Sequence, residues 1–211
     1  MATSKTPTKS AWKDGFLFVG NHLALDFLNT HPVHNGQAQE LLPDFSALLR
    51  WFQAAGLLGP AEVTTLRQRW ESSARARQTL QTLRKLREQL RTDVAKWEAG
   101  GAIDGATLKK LNAWMVAHPV LEKLTRVDHT LALRSWFEVR QPEDLIAPLA
   151  HSAARLFVEV DRSRARKCDQ CVLHFLDTSK KGTRRWCSMQ LCGNRVKVAA
   201  YADRRRRRSN C

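Results

Sequence analysis

The first 167 residues of this 211-residue chain contain no cysteine, and the chain has no apolar run long enough to span a membrane. A spanning helix needs about 18 to 20 consecutive apolar residues. The opening stretch, MATSKTPTKSAW, is small, polar and basic, and it lacks the apolar block of a secretion signal. We therefore expect a cytoplasmic protein without a membrane partner, and we interpret residues 1–13 as a flexible tail.

The sequence also lacks the short motifs of common nucleotide-binding and hydrolytic sites. It has no GxGxxG, no P-loop, no GxSxG and no HExxH. We therefore predict that the chain is not an enzyme. The opposing hypothesis is an active site in the N-terminal part, and it would require polar groups clustered in a deep pocket around Asp26.

Acidic residues are scarce in the last quarter of the chain. Residues 161–211 hold 15 Lys and Arg against 4 Asp, a surplus of 11, whereas residues 1–160 hold 20 against 16 acidic residues, a surplus of 4. A localised basic segment attracts polyanions, with nucleic acid first and an acidic membrane surface second. The charge distribution therefore indicates a nucleic-acid-binding C-terminal end.

Four of the five cysteines lie close together in the pattern Cys168-x2-Cys171-x15-Cys187-x4-Cys192. Two close pairs joined by a loop suit a tetrahedral site, in which four thiolates lie about 2.3 Å from zinc. In a reducing compartment such clusters indicate metal binding rather than disulfides. We predict Zn²⁺ held by these four residues; iron, a redox pair of Cys168 and Cys171, and chance clustering are the alternatives.

A site with four protein thiolates has no open position for water, so the predicted zinc is structural rather than catalytic. A module of about 45 residues buries too little apolar surface to be stable without a cross-link such as a bound zinc ion. His174 is interpreted as a surface or supporting residue rather than a ligand. Cys211, at the terminus, is interpreted as a free thiol.

Hydrophobic periodicity predicts an α+β fold with a predominantly helical N-terminal domain, residues 14–160, and a small sheet. Asp44 should cap a helix that ends near Gly56, and one long helical stretch should cover about 60–98. The further expected elements are a helix from Asp104 or Thr107 to Trp114, a helix opening at Pro142, a strand within 15–20 and a β-hairpin within 121–139.

Residues 161–167 are charged and non-periodic, and we interpret them as a linker to a module formed by residues 168–211. The segment VLHFLDTSKKGTRRW (172–186) has apolar ends and a turn-like centre, which predicts a β-hairpin. A helix should start at the second cysteine pair and run from about Met189 to Arg207. A knuckle, a hairpin and a cysteine pair at a helix start together make a treble-clef-like zinc module.

The predicted C-terminal helix places Lys197, Tyr201, Arg204 and Arg208 on one face by the i, i+4, i+7, i+11 spacing. We predict double-stranded DNA as the partner, with RNA binding left open because phosphate contacts carry no sequence information. Asn194 is interpreted as a bracing residue and Trp186 as core. The predicted nucleic-acid contacts are Arg184, Arg185, Arg195, Lys197, Arg204, Arg205 and Arg208.

Polar residues in the N-terminal domain form a second candidate site. Asp26, Asn29 and Thr30 lie in an apolar setting, where they could line a small-molecule pocket or, alternatively, cap a helix or close a turn. The neighbouring His22, His31 and His34 match no metal-ligand spacing. We therefore keep the ligand pocket and the local structural role as the two readings of these residues.

The stretch RRWCSMQLCGNR, with its WCSM and CGNRxK segments, resembles the CGNR-type zinc finger of bacterial transcription regulators, and FLDTSKKGTRRWCSM resembles the hairpin that precedes it. LDFLNT (25–30) resembles the ABATE domain that accompanies this finger. The resemblance implies zinc, DNA binding and a role as a stress-induced regulator. We expect an N-terminal domain that senses a ligand or forms a homodimer; the alternative is an RNA-binding or protein-interaction adaptor.

Overall fold

The structure is a computed structural model that describes residues 11–34 and 37–209, and it consists mainly of short helices with four small antiparallel sheets. Within these residues the α-helices are α1 (Leu23–Leu28), α2 (Phe45–Ala54), α3 (Pro60–Trp70), α4 (Ala74–Glu98), α5 (Gly105–Ala117), α6 (Ile146–Glu159) and α7 (Asn194–Ser209). The strands pair in chain order as β1 (Trp12–Lys13) with β2 (Phe16–Leu17), β3 (Val33–His34) with β4 (Gln37–Ala38), β5 (Leu121–Val127) with β6 (Thr130–Trp136), and β7 (Ala165–Lys167) with β8 (His174–Leu176). The predicted α+β class, dominated by helices, is confirmed.

Side-chain caps begin several of these helices. Asp44 accepts a hydrogen bond of 2.7 Å from the backbone N–H of Ala47 and so starts α2, as predicted. Gly56 follows the end of this helix with φ +76°, a conformation that glycine adopts at little cost. Asp104 starts α5 in the same way by accepting from the N–H of Ala106.

The predicted single helical stretch over 60–98 is divided into α3 and α4. Ser73 stops the first helix and starts the second, because its hydroxyl accepts from the backbone N–H groups of Arg75 and Ala76. A serine that satisfies these N–H groups favours a new helix start over continuation of the old helix. The predicted apolar stripe of α4 is confirmed, since its leucines are at most 5% exposed: Leu80, Leu83, Leu86 and Leu90.

The main core lies where α1, α2, α4 and α6 meet. Trp51 on α2 packs between Phe18, Phe27 and Phe52, with ring centroids 5.5 to 6.1 Å apart. Trp51, Phe27 and Phe52 are fully buried. Aromatic clusters of this kind bury large apolar areas, so they fix the relative positions of the helices.

The last helix of the N-terminal part, α6, begins after a 3₁₀ turn at Pro142–Leu145. Pro148 stands in its first turn, where the missing N–H would have had no helical acceptor, so the proline is accommodated there. The hairpin β5–β6 precedes this turn, as predicted, and Asp128 and His129 turn the chain with positive φ.

The segment 161–167, expected to be a linker, has regular structure. Arg162–Arg164 form a 3₁₀ turn, and Ala165–Lys167 form strand β7, in which Ala165 is buried. Strand β7 could not be predicted from the sequence because it has only three residues and the segment around it is charged. The chain therefore passes from α6 into the cysteine-rich module without a free connection.

The expected tail also contains structure where it is described. Residues 1–10 lie outside the described part of the chain, but Trp12–Lys13 pair with Phe16–Leu17 across an Asp14-Gly15 turn in which both residues have positive φ. Such a two-residue turn is typical of hairpins. In the described ranges no helix combines the length and apolarity needed to cross a membrane.

Candidate metal centre and its contacts with the N-terminal domain

The four predicted cysteines converge on one point. The sulfur atoms of Cys168, Cys171, Cys187 and Cys192 all lie within 4.8 Å of one another. Two of the distances, from the Sγ of Cys187 to those of Cys171 and Cys192, are 3.7 Å. A tetrahedron with metal–sulfur bonds of about 2.3 Å has edges of about 3.8 Å, so the sulfurs are spaced for zinc. They are too far apart for disulfides, whose sulfurs are about 2.05 Å apart.

The electrostatics of the cluster favour a bound cation. Hydrogen bonds from the thiols of Cys171 and Cys187 lower the pKa of Cys168. The same hydrogen bonds to Cys168 raise the pKa of Cys187, and they raise that of Cys171 to about 12. A divalent cation would offset the repulsion between thiolates held this close together. Zinc would be held by all four sulfurs and would act structurally, because no ligand position is left for water.

Local hydrogen bonds hold each pair of cysteines in place. The first pair occupies the turn between β7 and β8, where the N–H of Cys168 donates to the carbonyl of Leu173 over 2.9 Å. The second pair lies at a helix start, since Ser188 caps a π-helical turn at Met189–Gly193 that continues into α7. The N–H of Cys187 approaches the Sγ of Cys168 to 3.3 Å and so links the two pairs.

The predicted hairpin within 172–186 is replaced by a different pairing. Strand β8 (His174–Leu176) pairs back with Ala165–Lys167, with Arg166 opposite Phe175. The cysteine knuckle is thus the hairpin turn, and the segment after β8 is a loop. The apolar ends of 172–186 were a correct sign of burial, because Leu173 and Phe175 are buried, but they do not identify the partner strand.

The loop after β8 is organised by Asp177, a residue that sequence reasoning missed. Its buried carboxylate accepts hydrogen bonds from the backbone N–H groups of Ser179 and Arg184, at 2.9 and 2.8 Å. Although burial opposes ionisation, a hydrogen bond from the side chain of Ser179, together with these two backbone bonds, lowers the pKa of Asp177 to about 2. An Asp followed two residues later by Ser is a known turn signature, so DTS was the available signal.

Arg184 points into the module. Its Nε donates to the carbonyl of Trp186 over 2.8 Å, its Nη2 donates to the carbonyl of Cys187, and its guanidinium lies over the ring of Phe175, 4.4 Å from the centroid. Burial lowers the pKa of Arg184, but the nearby charges of Cys187 and Asp177 favour the cation. The structure therefore places this side chain as a brace for the second cysteine pair.

The other predicted nucleic-acid contacts are at the surface where they are described. Arg185 is exposed and pairs with Asp169 over 2.7 Å, and Arg195 is exposed and donates to the carbonyl of Leu191. Lys197 and Arg205 are exposed on α7. The side chains of Arg204 and Arg208 lie outside the described part of the structure.

Asn29 joins the N-terminal domain to the zinc module. Its side-chain amide donates to the carbonyl of His174 over 2.8 Å and accepts from the N–H of the same residue over 2.9 Å. Both residues are buried. The imidazole of His174 faces Glu98, with Nδ1 and Oε1 2.9 Å apart, and so lies outside the sulfur cluster. We call the contact of α1 with β8 the interdomain seam.

Two further backbone contacts extend the interdomain seam. The N–H of Leu176 donates to the carbonyl of Gly20, and the side chain of Asn21 donates to the carbonyl of Leu176. Leu17 and Val19 pack with Leu173, Phe175 and the cysteines in one buried cluster. The N-terminal hairpin is thus part of the environment of the metal centre.

Asp26, Asn29 and Thr30, the predicted pocket residues, are all buried and hydrogen-bonded within the protein. Asp26 accepts from the N–H of Gly20 over 2.7 Å, and Thr30 donates to the carbonyl of Phe27 and accepts from Arg87. Burial raises the pKa of Asp26 to about 6. None of the three lines the cavity of the N-terminal domain that is described below. The described side chains contain no further cluster of potential metal ligands.

The comparisons with known proteins agree with this architecture. Residues 21–160 match the ABATE family, described as "putative stress-induced transcription regulator", and residues 160–205 match the CGNR zinc finger. No curated protein matches the chain. Since the first match spans well over half of the residues and the second coincides with the cysteine cluster, the chain belongs to the ABATE family and ends in a CGNR zinc finger.

Proposed function

We propose that this protein is a zinc-dependent, DNA-binding transcription regulator of the cytoplasm. The zinc module would contact double-stranded DNA, and the N-terminal domain would sense a ligand or mediate dimerisation. The proposal assigns no catalytic step to the chain. The observation that carries it is the direct continuation of the cysteine cluster into α7, a helix rich in arginine.

The exposed basic side chains near the metal centre form the proposed contact surface. We define the basic surface by the described, exposed residues Lys180, Lys181, Arg185, Arg195, Lys197, Arg205 and Arg206. Val198 and Tyr201 are 67% and 57% exposed, so α7 is not buried along that side. A helix of this kind can approach the duplex and place its cations near phosphates.

The binding test measures affinity for a short random-sequence duplex by fluorescence anisotropy, using full-length zinc-loaded protein. If four or five phosphates are contacted, raising the salt from about 50 to about 200 mM should weaken binding by about 100- to 500-fold. Lys197→Ala should weaken binding and make the salt dependence shallower. The matched control is Lys109→Ala, which removes an exposed lysine of α5.

Two results would count against the proposal. One is the absence of duplex binding at low salt, and the other is an equal loss of affinity in Lys197→Ala and Lys109→Ala. Tighter binding of single-stranded RNA than of the duplex would instead support the RNA-binding alternative. The duplex and the single-stranded RNA are titrated with the same protein preparation, so their affinities can be compared directly.

The hairpin β5–β6 supports the dimerisation part of the proposal. Leu124, Leu131 and Leu133 lie on one face of this hairpin by register and are 61 to 65% exposed. Exposed apolar patches often mark protein interfaces. Sedimentation equilibrium of the protein and of Leu124→Ser/Leu133→Ser should show a dimer that the double substitution converts to monomer, and a monomeric parent protein would remove this role.

A further inference from the structure

A cavity of about 650 Å³ lies in the N-terminal domain, and Asp26, Asn29 and Thr30 are not among its lining residues. It is bounded by the start of α1, the turn after α2, the end of β6 and one side of α6. This volume falls within the range of about 300 to 1,000 Å³ that is typical of small-molecule sites. Its apolar walls are formed by Leu57, Val120, Trp136, Phe137 and Pro148.

Hydrogen-bond donors converge on one side of this cavity. Helix α6 presents His151, Ser152 and Arg155 to it, and the start of α1 adds His22. The Nδ1 atom of His22 is buried and has no hydrogen-bond partner. Such an unpaired buried atom costs about 1 to 3 kcal/mol, which a ligand could recover.

The charged groups at the cavity already have partners within the protein. Arg155 donates through Nε to Glu159 over 2.8 Å, and Glu62, which also lines the cavity, accepts from the backbone N–H of Gly59 over 2.7 Å. Burial, together with the charge of Arg155, lowers the pKa of His22, so its ring is neutral at neutral pH. A charged ligand would therefore have to compete with these existing partners, whereas an uncharged acceptor could bond to the unpaired Nδ1 of His22 without displacing any of them.

We propose that this cavity binds a neutral, ring-containing molecule, with its apolar body against Trp136 and Phe137 and a hydrogen-bond acceptor toward His22 and Arg155. The regulatory meaning of such binding rests on the function proposed above, whereas the binding itself does not. The site is connected to the metal centre by two routes. In the first route, Ser152 accepts a hydrogen bond of 3.0 Å from the N–H of Ala24, which connects α6 to α1, and α1 ends at Asn29. In the second route, α6 continues through the short 3₁₀ turn at Arg162–Arg164 into β7.

The test is isothermal titration calorimetry of the full-length zinc-loaded protein with three probes that share a naphthyl body. The probes are naphthamide, which is neutral, naphthoate, which is an anion, and naphthylmethylammonium, which is a cation. We expect naphthamide to bind at least about tenfold more tightly than either ion, because an ion would lose its hydration in a cavity whose charged groups are already paired.

Two substitutions place the probe in the cavity. Trp136→Ala removes part of the wall and should weaken naphthamide binding by about tenfold, which is the scale of a lost aromatic contact. Val116→Ala, which shortens an exposed apolar side chain of α5 that does not line the cavity, is the control and should leave the affinity unchanged. Leu57→Trp fills the cavity and should also weaken binding, so the test does not depend on one variant that could disturb the hairpin.

The outcomes are separable from those of the DNA experiment. No heat from naphthamide at millimolar concentration, or equal binding to the protein and to both cavity variants, would overturn the proposed site. Tighter binding of either ion would overturn the neutral class of ligand. If DNA binding persists in those cases, the cavity proposal has failed while the proposed function stands.

Discussion

The interdomain seam predicts that Asn29→Ala will destabilise the protein strongly. The substitution deletes two buried hydrogen bonds and leaves the N–H and carbonyl of His174 without partners. A typical hydrogen bond contributes about 1 kcal/mol, and each orphaned buried group costs about 1 to 3 kcal/mol, so we expect a loss of about 2 to 5 kcal/mol. That is a large share of the roughly 5 to 15 kcal/mol by which proteins of this size are stable.

The assay is urea unfolding at fixed protein and zinc concentrations, followed by circular dichroism and by tryptophan fluorescence. Asn21→Gly is the matched control, because Asn21 makes one exposed hydrogen bond to the same strand and has φ +54°, which glycine tolerates. We expect the control to lose less than about 1 kcal/mol. If Asn29→Ala loses no more than Asn21→Gly, the seam does not carry the stability that we assign to it.

A second readout separates a local effect from a global one. Because His174 lies three residues after Cys171, loosening β8 should also weaken the hold of the first cysteine pair on zinc. Transfer of zinc to a chromogenic chelator should therefore be faster in Asn29→Ala than in the parent protein. Unchanged transfer together with lower stability would place the effect in the N-terminal domain alone.

Three further predictions follow from the metal centre and its surroundings. Chelation of zinc should expose Trp186 and abolish the fold of the C-terminal module, detected as a shift of tryptophan emission that added zinc reverses; unchanged emission would contradict a structural metal. Arg184→Ala should weaken zinc retention, whereas Arg185→Ala should leave zinc retention intact and weaken duplex binding, since only Arg184 donates to the carbonyl of Cys187. Because the pKa of Asp26 is raised to about 6 in the fold, its stabilising contribution is complete below about pH 4 and is lost as pH rises through 6, by up to about 3 kcal/mol. The difference in unfolding free energy between Asp26→Asn and the parent should therefore grow from pH 4 to pH 7 in favour of the variant, and a constant difference would refute the raised pKa.

The metal centre was predictable because zinc ligation imposes a local spacing on the chain. Two cysteine pairs can meet around one ion only when each pair sits in a turn, and that requirement is visible in the sequence. The helices were predictable for a similar reason, because their signals are local in the sequence. Asp44 is a typical capping residue, and the leucines of α4 recur at helical spacing. The division at Ser73 was missed because serine is nearly neutral within helices and decisive only as a cap.

The interdomain seam was not predictable from local pattern. Asn29 and His174 are 145 residues apart in the sequence. The residues around an asparagine at the end of a short helix do not indicate which group its side chain will bond to. The same holds for β8, whose apolar residues indicate burial but not the strand with which it pairs. The sequence left two interpretations of Asn29, a ligand pocket and a local cap or turn, and neither identifies the zinc module as the partner of its amide.

Because the interdomain seam is held by directional hydrogen bonds, it restricts the position of α7 relative to the N-terminal domain. Apolar packing between α1 and β8 would allow small sliding motions, because dispersion contacts have little directional preference. Asn29 instead engages the donor and the acceptor of a single residue, and a slip of β8 by one position would leave its buried amide and both backbone groups unpaired. The knuckle that follows β7 and precedes β8 is held in the same register, and the second cysteine pair is tied to it through the sulfurs. The start of α7 is therefore tied to α1 through directional contacts rather than through a flexible connection.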